Sequence, residues 1–561
     1  MTTILNKLLY KSLIYSGKLI ELKLNSYTKK TLKINTLTLL DIIKSNATCE
    51  YGIKYNFKSI NSIEDFKKNV PITNPVDYEK YIKKMANGET NILVSDPIEY
   101  FGHTSGTTGK QKLIPVTKKS RVIASKYMAL LTPKYSYDNF KDTFTFGKGL
   151  MIADIVTTTY TKSGIPIRSA TSGGMEGIKK ILPLMYTSPI EVFKISDKEV
   201  SQYLHLLFAL KENNLMYISS SFISNILDLL RCLEDNYSML ISDIQKGSIN
   251  SKLGLDSQTR KILNNMLEPD AARADFLKNE FEKGTKGICR RIWPKLAYIA
   301  TVTGANFSIY DDKVNYYTDS LPIYSTAYAA TEAMIGINQY ASKISYVVIP
   351  DTVFYEFIPV NEYDKPSPKT YCIHELKINE CYEIVITNYA GLYRYRLGDV
   401  IKVLGFYNDS PEIEFLYRRN QVLNMVSEKT TEEHLTTSIK STVAKLNLNL
   451  IDYTAIADNS ISPGRYVFYM ELRNVPSKRL ISSIENTLDD ELKKSNLAYG
   501  RFRNSNGLAP IKVVPLNNGS FVKLKELLYS KGVSKSQIKI PRVITTNENL
   551  KKLVKSQQII Y

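Results

Sequence analysis

The sequence predicts an α/β chain of two units, a large N-terminal unit of β-sheets flanked by helices (residues 1–420) and a small α+β unit (residues 421–561). Three observations carry this expectation. A chain of 561 residues exceeds what one compact core accommodates, so two or more domains are expected. Stretches with helical spacing of Lys, Ile and Leu alternate with short β-branched and aromatic runs. After about residue 420 short helices and strands alternate in the manner of a small α+β domain.

In order along the chain, residues 1–95 read as mainly helical until Pro71 and Pro75 interrupt the pattern. Residues 98–117 pass from apolar and aromatic to Gly/Thr/Ser-rich and back, a strand–loop–strand or strand–loop–helix signature. Residues 200–235 hold two amphipathic helices; in the second, Phe222, Ile226, Leu229, Leu230 and Leu233 repeat at helical steps. Strand-like runs follow at Leu296–Val302, Ser345–Pro359 and Tyr382–Thr387. In the second unit, Lys440–Leu446 reads as a helix and Tyr466–Leu472 as a strand. Pro476–Lys494 reads as a helix that begins on its proline, Ile511–Pro515 as a strand and Phe521–Lys531 as a helix.

Composition narrows the function classes. With 43% hydrophobic and 23% charged residues the chain reads as globular rather than disordered. The formal charge of +19 is scattered, and no long basic run interleaves with stacking aromatics, so nucleic-acid binding is not expected. A positive field does favour phosphate and carboxylate ligands. The five cysteines form no C-x-x-C pair and the four histidines are dispersed, which argues for reduced thiols in the cytoplasm and against a zinc site. The first 25 residues alternate apolar residues with lysine and read as an amphipathic packing helix rather than a signal peptide. No run of about 18 apolar residues occurs, so no membrane span is expected.

Five segments carry chemistry. Thr104-Ser105-Gly106-Thr107-Thr108-Gly109-Lys110 supplies glycines that turn backbone N–H groups inward and hydroxyls that add donors, together a nest for phosphate oxygens. It is not the G-x-x-x-x-G-K-[ST] loop, and a plain surface turn is the other reading. Tyr328-Ala329-Ala330-Thr331-Glu332 places a carboxylate beside a hydroxyl, which suits Mg2+ and a phosphate oxygen; a helix N-cap at Thr331 is the other reading. Tyr393-Arg394-Tyr395-Arg396-Leu397-Gly398-Asp399 ends in a carboxylate able to accept both hydroxyls of a ribose, or in a hairpin with Gly-Asp at its corner. Arg418-Arg419-Asn420 with Ser427-Glu428-Lys429, and Lys539 near the C-terminus, offer cations to phosphates or simply decorate the surface.

The order of these segments, TSGTTG, YAATE and YRLGD before a small C-terminal unit, resembles the adenylate-forming superfamily of acyl-CoA synthetases and luciferases. The fuller strings resemble one branch, the plant auxin-responsive acyl acid–amido synthetases. They are DYEKYIKKMANGET (77–90), TSGTTGKQKLIP (104–115), MYTSPIEVF (185–193), TVTGAN (301–306), YAATEAMIGIN (328–338), TNYAGLYRYRLGDV (387–400) and SQIKIPR (536–542), with SYVVIP and YEFIP within 345–359. The resemblance runs from about residue 70 to the end.

It implies the adenylate-forming fold, a mobile C-terminal domain, ATP and Mg2+ as cofactors, and a monomer, with a carboxylic acid and an amino acid as partners. Ser105, Gly106, Thr107 and Thr108 match the phosphate loop, and Thr303, Gly304 and Ala305 match the segment beside the nucleotide base. Tyr328, Ala330, Thr331 and Glu332 match the α-phosphate motif, with Glu332 as metal ligand. Asp399 matches the ribose carboxylate, and Lys429 and Lys539 match catalytic lysines of the C-terminal domain. Ala329 stands where the wider superfamily usually has Gly, and Asn420 replaces its hinge Asp or Lys.

The implied reaction needs no protein nucleophile, because the attacking carboxylate is already ionised at neutral pH. The acceptor amine must lose a proton; His103 is a candidate base, with a structural role as the other reading. An acyl pocket is expected from apolar residues of the 200–235 helices and the loop after Tyr160. An acyl-CoA ligase with a thiol acceptor and a catalytically inactive nucleotide-binding scaffold are the alternatives.

Overall fold

A computed structural model describes residues 2–104, 112–303, 310–419, 422–426, 428–530, 539–545 and 547–559. Four sheets organise the described residues. The first is parallel, in the order Gly149–Ile152, Tyr217–Phe222, Tyr298–Val302 and Ile323–Tyr324. Helices Lys198–Leu210 and Ile223–Lys246 cover it. Leu204, Leu207, Ile226, Leu229, Leu230 and Leu233 disappear into one core. The helical stripe read from the sequence is therefore core packing.

The second sheet is antiparallel, with eight strands from Tyr371–Cys372 at one edge to Ala327–Ala329 at the other. Its centre is the hairpin of Tyr395–Tyr407 and Ser410–Arg418. The third sheet pairs Ile98–Thr104 with Lys112–Thr117 and with Pro166–Arg168, and Thr157–Tyr160 follows. Within 98–117 the described residues form two paired strands, and helix Lys118–Asn139 starts directly after the second on a Thr117 cap. The fourth sheet, Leu450–Asp458, Arg465–Leu472 and Lys512–Leu516, carries helices Glu432–Leu446 and Lys478–Ser495 and forms the distinct C-terminal domain.

Several boundaries differ from the sequence reading. Ser345–Pro359 is two strands, Tyr346–Val348 and Phe354–Pro359, because Pro350 lacks a donor and Thr352 folds back to the Ile349 carbonyl at 3.0 Å. The helix expected from Pro476 begins at Lys478, with the Ser477 side chain capping the Leu480 N–H at 3.2 Å and the proline outside it. The helix expected from Lys440 begins at Glu432 on a Thr431 cap. Gly398-Asp399 is not a hairpin corner. It lies inside strand Tyr395–Tyr407, where the register against Cys381–Thr387 slips and Gly398 takes φ of 80°. Thr331 caps no helix; Ala330 and Ala333 close a tight turn between two strands (2.8 and 3.3 Å).

Buried ion pairs pin the large sheet. Arg394 donates to both Glu356 oxygens (2.9 and 2.8 Å) and to the carbonyls of Lys67 and Val70 (3.0 and 2.8 Å). Arg396 pairs with buried Glu383 in the same manner. Arg394 therefore ties the helical N-terminal segment to two strands. No helix among the described residues is long and apolar enough to cross a membrane, and the five cysteines are unpaired. Removing one partner of a buried pair strands the other charge, so Arg394→Met should cost about 3–5 kcal/mol in denaturant unfolding. The double variant Arg394→Met/Glu356→Leu should recover part of that loss.

Candidate functional site

The site forms where the second and third sheets meet. Gly102, in the strand leading to residue 105, has no room for a side chain: a Cβ there would stand 2.6 Å from Thr331 Cγ2. The glycine lets the Thr331-Glu332 turn seat directly on the strand pair that closes through Thr104 and Lys112. Residues 105–111, which include Ser105, Gly106, Thr107 and Thr108, lie outside the described residues, as do Gly304 and Ala305.

Two carboxylates occupy this junction. Asp399 is buried and fully engaged: Arg418 Nε donates to Oδ1 at 2.6 Å and the Tyr328 hydroxyl donates to Oδ2 at 2.8 Å. Asp399 and Arg418 are direct cross-strand partners. The Glu332 backbone carbonyl accepts from Asn388 Nδ2 at 2.9 Å, and its carboxylate faces the Tyr395 hydroxyl at 3.4 Å. Burial raises the Glu332 pKa above the ordinary carboxylate range, Arg418 and Lys112 oppose that, and Asp399 adds to it. Burial also lowers the Lys112 pKa, with Glu332 opposing and Arg418 adding to the effect. Glu332, Asp399, Arg418 and Lys112 are therefore one electrostatic cluster. Glu332 and Arg418 keep solvent contact while lying deep in the molecule, as side chains lining a cleft do; the Arg418 side chain is 42% exposed.

The remaining residues expected from the sequence divide. Thr303, after strand Tyr298–Val302, donates to Asp311 Oδ1 at 3.0 Å. Lys539 stands 3.5 Å from Glu432. Burial lowers its pKa, Glu432 opposes this, and Arg542 and Arg418 push it further down, so Lys539 lies within electrostatic reach of the cluster. Lys429 engages Asp364 at 3.1 Å and sits over the Tyr363 ring; in this conformation it is not joined to the carboxylates. His103 is wholly buried, its Nε2 is 3.2 Å from Thr158 Oγ1, and burial lowers its pKa while Asp154 opposes the shift. Arg418 and Lys112 were visible in the sequence only as members of motifs. Their roles come from cross-strand pairing, which spacing along the chain does not display.

The C-terminal domain is held over this region by a second, buried cluster. Arg542 is enclosed between Asp452, the Tyr453 carbonyl (2.9 Å) and the Tyr310 hydroxyl. Tyr310 also donates to Asp452 at 3.1 Å. Lys313 reaches across to the carbonyls of Leu450 and Ile451 (2.5 and 3.1 Å). At a third contact, Asp228 receives Lys198 from its own domain at 2.5 Å and Lys525 from the C-terminal domain at 2.8 Å.

Comparison with known proteins agrees with this architecture. A solved 2-hydroxyisobutyryl-CoA ligase in its postadenylation state superposes with a TM-score of 0.52 at 10% identity, covering 93% of this chain and 91% of that one. The fold is therefore that of the adenylate-forming enzymes. The GH3 family N-terminal, central and C-terminal domain models match residues 21–323, 346–418 and 433–548. An indole-3-acetic acid-amido synthetase, GH3.6 of Arabidopsis thaliana, is 31% identical over 541 residues, covering 90% of this chain and 87% of the relative. The solved GH3.15 acyl acid amido synthetase matches with a TM-score of 0.86 at 28% identity, covering 97% of this chain and 96% of that one. The chain belongs to the GH3 family.

Two outcomes follow from this geometry. Gly102→Ala should cost about 1–3 kcal/mol, as overpacking does, and adding Thr331→Ser, which deletes the clashing methyl, should recover most of it in denaturant unfolding. Burial pushes the Lys313 pKa down to about 8, with Asp452 opposing and Arg231 and Arg542 adding to the effect. Between that pH and the ordinary lysine range the folded chain binds fewer protons than the unfolded one, so its stability rises with pH there. Lys313→Met should lose that part of the pH slope in wild-type-minus-variant unfolding curves.

Proposed function

We propose that the chain is an ATP-dependent acyl acid–amido synthetase. A substrate carboxylate oxygen attacks the α-phosphorus of ATP, the bond to the β,γ-phosphates breaks, and pyrophosphate leaves. The amine of an amino acid, having lost its proton, then attacks the acyl carbon; the acyl–phosphate bond breaks and AMP leaves. The observation that carries this reading is the cluster of Glu332, Asp399, Arg418 and Lys112 beside the strand pair that ends at Thr104 and Lys112, in a chain of this family.

Each residue has a physical task in it. Asp399, oriented by Arg418 and Tyr328, accepts the ribose hydroxyls. Ser105, Gly106, Thr107 and Thr108 bind phosphate oxygens, Thr303, Gly304 and Ala305 face the base, and Ala330 and Thr331 border the α-phosphate. Lys112 and Lys539 oppose the charge that develops on the phosphates. Glu332 fits a magnesium site: that cation binds through one or two carboxylates plus phosphate oxygens and water, and no larger acidic cluster occurs among the described residues. Bound there, Mg2+ neutralises phosphate charge. Because Lys429 rests on Asp364, it serves a different arrangement of the domains from Lys539. Residues 1–420 bind ATP and the acyl group, and residues 421–561 move between the two half-reactions. The protein acts as a cytoplasmic monomer.

The test is carboxylate-dependent pyrophosphate–ATP exchange over a broad acid panel, followed by amide formation over an amino acid panel with coenzyme A as the competing acceptor. Glu332→Ala and Asp399→Ala should each lower exchange roughly tenfold or more, the loss of a charge-assisted contact of about 1.5–3 kcal/mol. Absence of exchange with every acid would defeat the reading, and thioester formation in place of amide would redirect it.

A further inference from the structure

Helix Thr2–Thr28 carries two apolar faces, and the fold uses only one. Asn6, Tyr10, Gly17, Leu24 and Thr28 are buried at helical spacing, and the helix lies along Lys118–Asn139. Gly17 admits the Leu130 carbonyl, Tyr10 packs edge-on to Phe144, and Glu21 pairs with Lys134 at 2.7 Å. On the opposite side Ile4, Leu8, Tyr15, Leu19 and Leu22 are 69, 60, 67, 52 and 58% exposed. At about 100° per residue these five fall in a stripe roughly 60° wide, and at about 1.5 Å per residue it runs roughly 27 Å.

Scattered exposed leucines are ordinary on a protein surface. A continuous row is not, and this one has a charged border. Lys7, Lys11 and Lys18 are exposed, fall along one edge of the row, and make no ion pair among the described residues; Lys7 lies 5.8 Å over the Phe146 ring. The one acidic residue of the helix, Glu21, is turned away to Lys134. A row of large apolar side chains flanked by lysines that no carboxylate neutralises, with no acid on the face, complements one kind of partner: a surface with an apolar interior and an anionic rim. Lysine stems can lie along that interior while their ammonium groups reach the rim.

We propose that this face of the N-terminal helix docks the protein reversibly on an anionic lipid bilayer. The row from Ile4 to Leu22 enters the boundary between headgroups and acyl chains, and Lys7, Lys11 and Lys18 meet the lipid phosphates and carboxylates. The helix lies in the plane of the surface and does not cross it. Docked in this way, the enzyme is placed beside the phase in which an apolar carboxylic acid accumulates.

The full chain is sedimented with sucrose-loaded vesicles of phosphatidylcholine alone or with about 30% phosphatidylserine. Partitioning onto the anionic vesicles is expected to be roughly tenfold or more stronger and to weaken as salt is added. Leu8→Glu/Leu19→Glu should abolish it, and Lys7→Glu/Lys11→Glu/Lys18→Glu should remove the preference for anionic lipid. Both variants should keep the wild-type Tm and soluble pyrophosphate–ATP exchange, because these side chains face solvent. Failure to sediment with either vesicle, or sedimentation unchanged by Leu8→Glu/Leu19→Glu, overturns the proposal. A concentration-dependent dimer in sedimentation velocity that Leu8→Glu/Leu19→Glu dissolves overturns it too, in favour of a second copy as the occupant.

Discussion

A carboxylate inside a sheet must have a partner, because an isolated buried charge is among the costliest groups a fold can hold. Asp399 is such a carboxylate, and Arg418 answers it from the neighbouring strand at 2.6 Å. The contact fixes the register of the central hairpin, since Asp399 and Arg418 are direct partners across it. It also orients the second carboxylate oxygen toward Tyr328, and so draws the edge strand Ala327–Ala329 and the turn after it toward the centre of the sheet. The Thr331-Glu332 turn can then reach the strand pair at Gly102. Remove the Asp399–Arg418 contact and the remaining site residues belong to separate elements.

The same constraint recurs at larger scale. The big sheet buries Glu356 and Glu383 as well, each with an arginine from the Tyr393–Arg396 segment. Alternate residues of one segment serve different purposes. Arg394 and Arg396 hold the scaffold, while Tyr395 and Asp399 face the cluster. Gly398, with its positive φ, sits at the slip in register next to Asp399. A carboxylate so firmly oriented has little freedom left to lose when a ligand binds, which is what a preorganised contact requires.

Much of this was legible in the sequence. The α/β class with a distinct C-terminal domain, the helices of the first hundred residues and the two strands within 98–117 are all patterns of local spacing. What spacing could not give was pairing. Arg418 stands beside Asp399 only because two strands fold back on one another, and Gly102 matters only because Thr331 arrives from far along the chain. The two bland readings also failed for a nonlocal reason. Thr331 looks like a helix cap and Gly-Asp like a hairpin corner, yet the sheet absorbs both. The split of Ser345–Pro359 shows the opposite case: Pro350 was present in the sequence as a local break, and the apolar run masked it.

The C-terminal domain joins chemistry to docking through one short segment. Lys539, within reach of Arg418, is three residues from Arg542, the most enclosed cation of the interdomain cluster. Ile540 is buried and Pro541 offers its carbonyl to Thr454 at 2.7 Å, so the segment follows the domain as a rigid piece. Tyr310 and Lys313 hold that piece from the N-terminal side through a hydroxyl and an ammonium, and the buried apolar cluster that includes Tyr310, Val314, Leu450 and Tyr453 continues across the same boundary. Freeing Arg542 from Tyr310 therefore withdraws Lys539 from the cluster in the same movement. Under the proposed function, a domain that left its docked position would take Lys539 with it, and that coupling would order the two half-reactions.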